Sequence, residues 1–300
     1  MLLIEELNTD FCHYIIRDDL FPFLYGGNKA RKALEYERTL KQNGYNAIVT
    51  TGGIQSNHCR VMSLLAAKNQ WDCHIVFHGS KERFETEAGN ALIVKRTNTT
   101  YEFVDPSEIS NAMDNAMNSF VREGKKPFYV TGGGHDLAGG IAYIKATEEL
   151  AEKIQRNHIH IDRIFLPTGT GSTQAGIVTG LEKCGLNNVE VIGISVARKR
   201  ERATEVTTEF TSMLFEHFSL NLPLSNKINI SDDYLLGGYE GTTKDVQKWL
   251  QEITKSCGIL FDTTYSGKAL WGMKELIRKN NWENDNNLFW HTGGLMNILA

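Results

Sequence analysis

Three short segments of the chain combine glycine turns with side chains that can bind a ligand or react with one. The first, residues 167–176, reads Pro-Thr-Gly-Thr-Gly-Ser-Thr-Gln-Ala-Gly and lies between an apolar run and a helical pattern. Its central residues are Gly169, Thr170, Gly171, Ser172 and Thr173. Backbone amides at a helix N-terminus, together with hydroxyl groups and no carboxylate, favour a phosphate group. The glycine spacing matches neither the Walker A motif nor the dinucleotide fingerprint, so this loop predicts a single phosphate.

The second segment, residues 25–32, reads Tyr-Gly-Gly-Asn-Lys-Ala-Arg-Lys and places Lys29 at the start of a predicted helix. The positive end of the helix dipole disfavours an ammonium group there and lowers its pKa, as an imine-forming lysine requires. Taken alone, these lysines are also compatible with solvated charges on a helix face. Beside a loop for one phosphate, Lys29 suggests pyridoxal phosphate, which needs both.

The third segment, residues 51–58, reads Thr-Gly-Gly-Ile-Gln-Ser-Asn-His. Ser56, Asn57 and His58 combine a hydroxyl, an amide and an imidazole at a strand-to-helix turn, which suits the carboxylate of a substrate. Ser56 is also a residue type that caps helix N-termini, and the two roles are compatible.

These segments lie within an alternation of short β-branched runs and longer amphipathic stretches. Strands are predicted at residues 47–51, 74–77, 101–104, 128–130, 163–166, 189–196, 259–262 and 288–290. Helices are predicted over 30–43 and 173–184, each followed by glycine. The sequence therefore predicts an α/β fold with two open, mostly parallel twisted sheets and helices on both faces.

Composition excludes several classes of protein. The 300 residues are 41% hydrophobic and 23% charged, which is ordinary for a globular chain. The formal net charge of −4 lacks the basic excess of a nucleic-acid-binding protein. Glycine, with 27 residues, exceeds the roughly 21 of average usage. No run is apolar for the roughly 18 residues of a membrane span. From the charge we expect no nucleic-acid partner, and from the absence of such a run we expect no membrane partner.

The remaining candidate features are weaker. The five cysteines contain no Cys-x-x-Cys pair, and the N-terminal residues do not resemble a secretory signal, so we expect a cytoplasmic protein without disulfides. His158 and His160 could share one face of a strand, but no third ligand is near in sequence, and no metal site is predicted. The basic run 198–202 is expected to be a solvated helix start.

Together the three segments resemble the D-cysteine desulfhydrase and 1-aminocyclopropane-1-carboxylate (ACC) deaminase family. Three further stretches carry the resemblance along nearly the whole chain: Arg17-Asp-Asp-Leu, Tyr265-Ser-Gly-Lys-Ala and His291-Thr-Gly-Gly. Members of this family are pyridoxal-phosphate enzymes of fold type II, similar to the tryptophan synthase β subunit. The resemblance implies a large cofactor-binding domain of residues 1–32 and 143–300, a small domain of residues 33–142, an active site between the domains, and a homodimer.

The resemblance also implies roles for single residues. Lys29 would carry the cofactor covalently, the loop 169–173 would hold its phosphate, and Asn57 would lie near its phenolic oxygen. Ser56, with Asn57 and His58, would meet the substrate carboxylate. The further residues that it places around the pyridoxal ring and substrate are Tyr239, Tyr265, Ser266 and Thr292. Lys29, Ser56 and the two tyrosines are the candidate catalytic residues.

Two of these positions separate the branches of the family. The ACC deaminases have glutamate after the second tyrosine, facing the pyridine nitrogen, whereas this chain has Ser266. A hydroxyl group can donate a hydrogen bond to a neutral nitrogen but cannot supply a counter-charge. Thr292 likewise stands where the deaminases have leucine. Both residues favour a desulfhydrase, which eliminates a thiol from D-cysteine or a related β-substituted amino acid.

Three alternatives remain open at the level of sequence. The chain could be an ACC deaminase, or a biosynthetic enzyme acting on another β- or γ-substituted amino acid. His135 and Asp136, which depart from the family pattern, leave room for a different amino-acid substrate. The chain could also be a non-catalytic homologue that binds pyridoxal phosphate, although the presence of Lys29 argues against it.

Overall fold

Ten strands form two sheets in the computed structural model, which describes residues 2–7, 9–220 and 228–300. In chain order the strands are β1 Ile4–Glu6, β2 Tyr14–Arg17, β3 Ala47–Gly53, β4 Asp72–His78, β5 Thr100–Phe103, β6 Pro127–Val130, β7 Arg163–Thr168, β8 Glu190–Ser195, β9 Asn229–Ser231 and β10 Asn287–His291.

The same residues contain eleven α-helices, ten between strands and one after β10. They are α1 Asn28–Gln42, α2 Asn57–Asn69, α3 Lys81–Thr86, α4 Gly89–Lys95, α5 Ile109–Arg122, α6 Leu137–Asn157, α7 Ser172–Lys183, α8 Arg200–His217, α9 Lys244–Cys257, α10 Ser266–Asn280 and α11 Leu295–Ile298. None of the helices in the described residues is long and apolar enough to cross a membrane.

The chain divides into two compact units. The large unit consists of Met1–Asn28 and Gly140–Leu295, and the small unit of Lys29–Gly139 and Met296–Ala300. The domain boundaries inferred from the sequence, after residues 32 and 142, stay a prediction.

The sheet of the large unit has the strand order β1-β2-β10-β7-β8-β9. Every neighbouring pair is parallel except β1 and β2, which are antiparallel. The sheet of the small unit has the order β5-β4-β3-β6 and is parallel throughout. These two sheets confirm the predicted α/β class with mostly parallel strands.

Side chains of the large sheet alternate between two core clusters. Ile15 of β2 packs in a cluster with Met273 of α10, whereas the next residue, Ile16, packs in a cluster with Ile177 of α7. Because successive residues of a strand face opposite sides, α9 and α10 cover one face of the sheet and α6 and α7 the other. The helices thereby hold the carboxyl ends of β7 and β10 in place, where the candidate loops begin.

Two sequence predictions are wrong. Residues 259–262 do not form a strand: Ile259 and Phe261 are buried in a core cluster, so their apolar pattern reflects packing rather than pairing in a sheet. His158 and His160 do not share a strand face either. His158 follows α6 with a φ of 53°, and the exposed His160 pairs with Asp162 through a nitrogen–oxygen distance of 3.0 Å.

Candidate functional site

The predicted phosphate loop joins β7 to α7 in the large unit. Gly171 precedes the helix with a φ of +90°, and a Cβ there would lie 2.2 Å from Oγ1 of Thr207. Ser172 and Thr173 are buried, and the hydroxyls of Thr170 and Ser172 are 3.3 Å apart. The first four backbone N–H groups of a helix have no partner within it. Amides, three hydroxyls and a close-lying glycine backbone fit one phosphate group.

Asn28 connects this loop to the residues after β10. Its side-chain amide donates to Oγ1 of Thr173 at 3.3 Å, and its backbone N–H donates to the carbonyl of Thr292 at 2.9 Å. A Cβ on Gly293 would lie 2.7 Å from Cα of Gly27, so the two glycine segments pack backbone against backbone. Lys29 is the next residue after Asn28. The residue that bonds to the phosphate loop, Asn28, is therefore the covalent neighbour of Lys29.

Arg198 also contacts the phosphate loop, although sequence reasoning did not assign it to the site. Its guanidinium donates to the carbonyl of Gly169 at 2.7 Å. The sequence signal was the basic run 198–202, which we interpreted as a solvated helix start. Helix α8 does begin there, at Arg200, but Arg198 lies before it and is half-buried. Its charge adds to the positive potential around the loop, as expected for an anion site.

In the small unit, Lys29 lies in the first turn of α1. Its amine donates to the carbonyl of Gly133 at 2.8 Å, and burial lowers its pKa to about 8. Lys32, one turn later, donates to the carbonyls of Gly133 and Gly134 at 3.3 and 3.2 Å. Burial lowers the pKa of Lys32 as well, and the charge of Lys29 adds to this effect. An amine with this lowered pKa fits the lysine that an imine-forming cofactor requires.

The triglycine turn at residues 132–134 thus receives both amines. A Cβ on Gly134 would lie 3.1 Å from Cδ of Lys32, so a larger residue would crowd this side chain. Asp136, which the sequence suggested could alter substrate preference, accepts hydrogen bonds from the hydroxyl of Tyr36 at 2.5 Å and from the backbone N–H of Gly139 at 3.1 Å. These bonds fix the turn that the two lysines contact.

Ser56 and Asn57 begin α2. The Ser56 hydroxyl accepts the backbone N–H of Cys59 at 3.3 Å, which confirms the cap expected at this position. Asn57 donates to the side-chain oxygen of Asn297 at 2.6 Å and accepts from Asn90 at 3.2 Å. Asn90 is fully buried. Sequence reasoning missed both asparagines, because they lie far from Asn57 along the chain and belong to no recognisable motif.

His58 is buried in the small unit. The hydroxyl of Thr50 donates to the carbonyl of Val130 and lies 2.8 Å from Nε2 of His58, so this nitrogen is the donor to Thr50. Burial and the charges of Lys29 and Lys32 lower the pKa of His58 well below its usual range. Burial and these two charges therefore favour the neutral form of the His58 ring. Its predicted contact with a substrate carboxylate stays a prediction.

Tyr239 and Tyr265 meet in the large unit. Their hydroxyl groups are in contact, and their ring centroids lie 5.6 Å apart in an edge-to-face arrangement. Ser266 follows Tyr265 as the first residue of α10 and is fully buried. Its backbone N–H and its hydroxyl both donate to Oδ1 of Asp262, at 2.8 and 2.6 Å.

Asp262 is another residue that sequence reasoning missed. Its second oxygen, Oδ2, accepts the backbone N–H groups of Thr264 and Tyr265 at 3.0 and 2.8 Å. Burial raises the pKa of Asp262, and its bonds to Ser266 oppose that rise. A Cβ on Gly294 would lie 2.3 Å from Oδ1, so the glycine after β10 leaves room for this carboxylate.

The candidate residues thus form two groups. The large unit brings together the phosphate loop, Asn28 and Thr292, and it pairs Tyr239 with Tyr265 and Ser266. The small unit brings Lys29 beside the start of α2, where Ser56, Asn57 and His58 lie. No group of three or more metal-ligating side chains occurs within residues 2–7, 9–220 and 228–300.

A fold of this type, with a phosphate loop and a lysine of lowered pKa, defines an enzyme that binds a phosphorylated aldehyde cofactor. Comparison with known sequences identifies the group: the chain belongs to the pyridoxal-phosphate dependent enzyme family, whose family model matches residues 3–293. Its cofactor is pyridoxal phosphate. The predicted fold type and cofactor are therefore confirmed.

Individual relatives narrow the resemblance further. The chain is 30% identical to the "Putative 1-aminocyclopropane-1-carboxylate deaminase" of Pyrococcus abyssi, over 98% of this chain and 87% of that protein. It is 28% identical to the D-cysteine desulfhydrase of Serratia proteamaculans, over 96% and 88%. The structure is similar to the crystal structure of an ACC deaminase homologue, with a TM-score of 0.86, 29% identity, and coverage of 99% and 90%. The resemblance to both branches is confirmed.

Proposed function

We propose that this enzyme is a lyase that eliminates a thiol from D-cysteine or a related β-substituted amino acid. With D-cysteine and water, the products are pyruvate, ammonia and sulfide. The observation that carries the proposal is Ser266, because a hydroxyl and not a carboxylate follows Tyr265. The Ser266 hydroxyl donates its proton to Oδ1 of Asp262 at 2.6 Å. Because the Ser266 side chain carries no charge, it supports a weaker withdrawal of electrons by the cofactor ring, which suits elimination of a good leaving group.

The chain's own residues divide the work as follows. The loop 169–173 and Arg198 would hold the cofactor phosphate, and Lys29 would hold its aldehyde carbon until the substrate amine takes that place and frees the lysine. When bound, pyridoxal phosphate withdraws the electron pair left at Cα of the amino acid. Lys29, whose amine is neutral above about pH 8, removes the Cα proton. Ser56 and Asn57, assisted by His58, bind the substrate carboxylate.

Four further residues complete this assignment. Tyr239 and Tyr265 orient the substrate or relay protons, since their hydroxyls are in contact and one can pass a proton to the other. Ser266 and Thr292 contribute to the cofactor site from the large unit. Residues 1–32 and 143–300 make up the cofactor-binding domain and residues 33–142 the small domain. We also expect a cytoplasmic homodimer, which light scattering would test.

A second candidate activity is ACC deamination, favoured by the name of the Pyrococcus relative. It would yield 2-oxobutyrate and ammonia. The sequence alternatives of a biosynthetic enzyme and of a non-catalytic homologue remain candidates of lower rank.

Substrate assays separate these candidates. We expect purified, cofactor-loaded enzyme to release equal amounts of sulfide and pyruvate from D-cysteine, and more slowly or not at all from L-cysteine. ACC should give no 2-oxobutyrate. Free pyridoxal phosphate and the Lys29→Ala variant serve as controls, because the free cofactor reacts slowly with cysteine. Production of 2-oxobutyrate from ACC without sulfide from either cysteine would contradict the proposal and support the deaminase.

The lowered pKa of Lys29 predicts how cofactor binding depends on pH. Only the neutral amine attacks the aldehyde, so the rate at which cofactor-free enzyme takes up pyridoxal phosphate should rise about tenfold per pH unit below pH 8. Above about pH 8 the rate should level off. Stopped-flow absorbance between pH 7 and 10 measures it, a range in which the phosphate stays doubly ionised. A rate that still rises tenfold per unit near pH 10 would show an unperturbed lysine.

A further inference from the structure

Lys268 is a fully buried lysine to which the proposed function assigns no task. It lies in the first turn of α10 in the large unit. Its amine donates to three carbonyl oxygens: that of Leu235 at 2.9 Å, that of Gly238 at 2.6 Å and that of Tyr239 at 3.3 Å. An ammonium group has three N–H donors and no acceptor, so it can satisfy three carbonyls at once.

The loop at residues 235–241, which we term the tyrosine loop, is shaped to present these oxygens. Leu236, Gly237 and Gly238 have φ values of 53°, 95° and 119°, and this left-handed run lies between the carbonyl of Leu235 and that of Tyr239, which both bond to the one amine. The same oxygens accept bonds within the loop: the N–H of Gly238 donates to Leu235, and that of Gly241 donates to Gly238. Lys268 therefore bonds at the points where the loop closes on itself.

Packing holds this loop at one end more than at the other. Leu236 packs against the core cluster that includes Met273, whereas Tyr239 is 41% exposed and a Cβ on Gly237 or Gly238 would meet nothing within 4 Å. Hydrogen bonds to a charged group are roughly twice as strong as neutral ones. A buried ammonium with three carbonyl partners is accordingly a strong anchor for the part of the loop around Gly237, Gly238 and Tyr239, where the two glycines leave open space.

Helix α10 thereby controls both tyrosines. Tyr265 is the residue before its first turn, and Lys268 lies three residues later, on a neighbouring position of the helix surface. The helix sets Tyr265 directly and sets Tyr239 through the amine of Lys268. We infer that Lys268 is a positioning residue that holds the Tyr239 hydroxyl against that of Tyr265, and so fixes the tyrosine pair for the reaction. The inference rests on the proposed function for the role of that pair.

Two opposing effects set the pKa of Lys268. Burial lowers its pKa to about 8, while the carboxylate of Asp262, in the turn before α10, raises it. The tyrosine loop and the turn before α10 also carry the titratable side chains of Tyr239, Glu240 and Tyr265. Those that follow Lys268 along α10 are Lys274, Glu275, Arg278 and Lys279. A neutral amine keeps two N–H donors for three carbonyls, so the loop should loosen when the pH rises above this range.

Limited proteolysis tests the anchor in the cofactor-loaded enzyme. Chymotrypsin cleavage after Tyr239, followed by peptide mass mapping, reports whether the tyrosine loop is held. We expect Lys268→Met to speed this cleavage at least tenfold and to lower kcat at least tenfold. The cofactor's visible spectrum should stay close to that of the wild type. Lys268→Arg, which keeps the charge, should restore most of the protection.

Lys274→Met is the matched control, because Lys274 is another buried lysine of α10. Its amine lies over Trp249 and Trp271 and pairs with Glu275 instead of the tyrosine loop. We expect this variant to cleave after Tyr239 at the wild-type rate. In the wild type, cleavage normalised to a reference peptide should rise between pH 7 and 9, which requires no variant to fold.

Two results would overturn the inference: wild-type cleavage and turnover in Lys268→Met, or the same acceleration in Lys274→Met. The proposed function fails in a different way, through wild-type enzyme that releases no sulfide from cysteine. Protection of the Tyr239 bond is measured without substrate, so the two failures are distinguishable.

Discussion

The Lys29→Ala variant should lose at least about 10³-fold in turnover of D-cysteine, because one substitution removes both the proposed covalent attachment of the cofactor and the proposed base. The wild-type amine is well suited to both tasks. Burial holds its pKa at about 8, and its hydrogen-bond partner, the carbonyl of Gly133, is an acceptor that leaves the lone pair of the neutral amine available.

Borohydride reduction followed by peptide mapping measures the attachment independently of activity. Reduction traps an imine as a stable amine, and the wild-type enzyme should carry the pyridoxyl group on the peptide that contains Lys29. Lys32 lies one turn away and shares the carbonyl of Gly133, so the mapping must separate these two lysines.

Lys41→Ala is the control for this variant. Lys41 lies on the same helix, its side chain is 55% exposed, and its partner Glu37 keeps a second ion pair with Lys68 at 2.6 Å. We expect it to keep wild-type turnover and labelling. Labelling of Lys32 in the wild type, or turnover by Lys29→Ala within about tenfold of wild type, would contradict the assignment of Lys29.

Gly171→Ala is the second substitution with a large expected effect. A left-handed conformation costs an alanine about 1–2 kcal/mol. At this position the added Cβ would also lie 2.2 Å from Oγ1 of Thr207, and such overpacking typically costs about 1–3 kcal/mol more. To relieve the clash, the start of α7 must move, and its amides then no longer point at one position. We expect a lower melting temperature and at least tenfold weaker binding of pyridoxal phosphate.

Gly185→Ala separates the two costs. Gly185 follows α7 with a φ of +70°, and a Cβ there would meet nothing within 4 Å. This variant should lose only about 1–2 kcal/mol of stability, which is the cost of a left-handed alanine, and it should bind the cofactor normally. Calorimetry and a fluorescence titration with pyridoxal phosphate measure both properties. Equal effects of the two substitutions would mean that the close approach to Thr207 does not shape the loop.

The local patterns predicted much of this molecule. Short β-branched runs gave seven of the strands, and the glycine turns marked the loops at Gly169–Gly171 and before Lys29, because a turn with positive φ has few possible residues. The prediction failed at residues 259–262. Alternating apolar residues there pack in a core without pairing in a sheet, and a single sequence does not distinguish these cases.

The triglycine turn shows a second limit. Nothing near residues 132–134 in sequence revealed that the carbonyls of Gly133 and Gly134 accept the amines of Lys29 and Lys32. These partners are separated by 104 and 102 residues. Every residue has a backbone carbonyl, so the residue type of the acceptor does not indicate such a hydrogen bond and no sequence motif predicts it.

The sequence by itself determined the chemistry on offer: an amine at Lys29, a phosphate loop at residues 169–173, and a hydroxyl at Ser266 where a carboxylate would favour another reaction. These follow from residue type and from spacing within a few positions, which the covalent chain enforces. Only the tertiary structure decided how those groups are held and tuned. Asn28 joins the loop to Thr292, Asp262 binds the Ser266 hydroxyl, and burial lowers the pKa of Lys29. Burial and hydrogen bonding between distant segments arise when the chain packs, and at Gly27 and Gly293 that packing brings backbone against backbone.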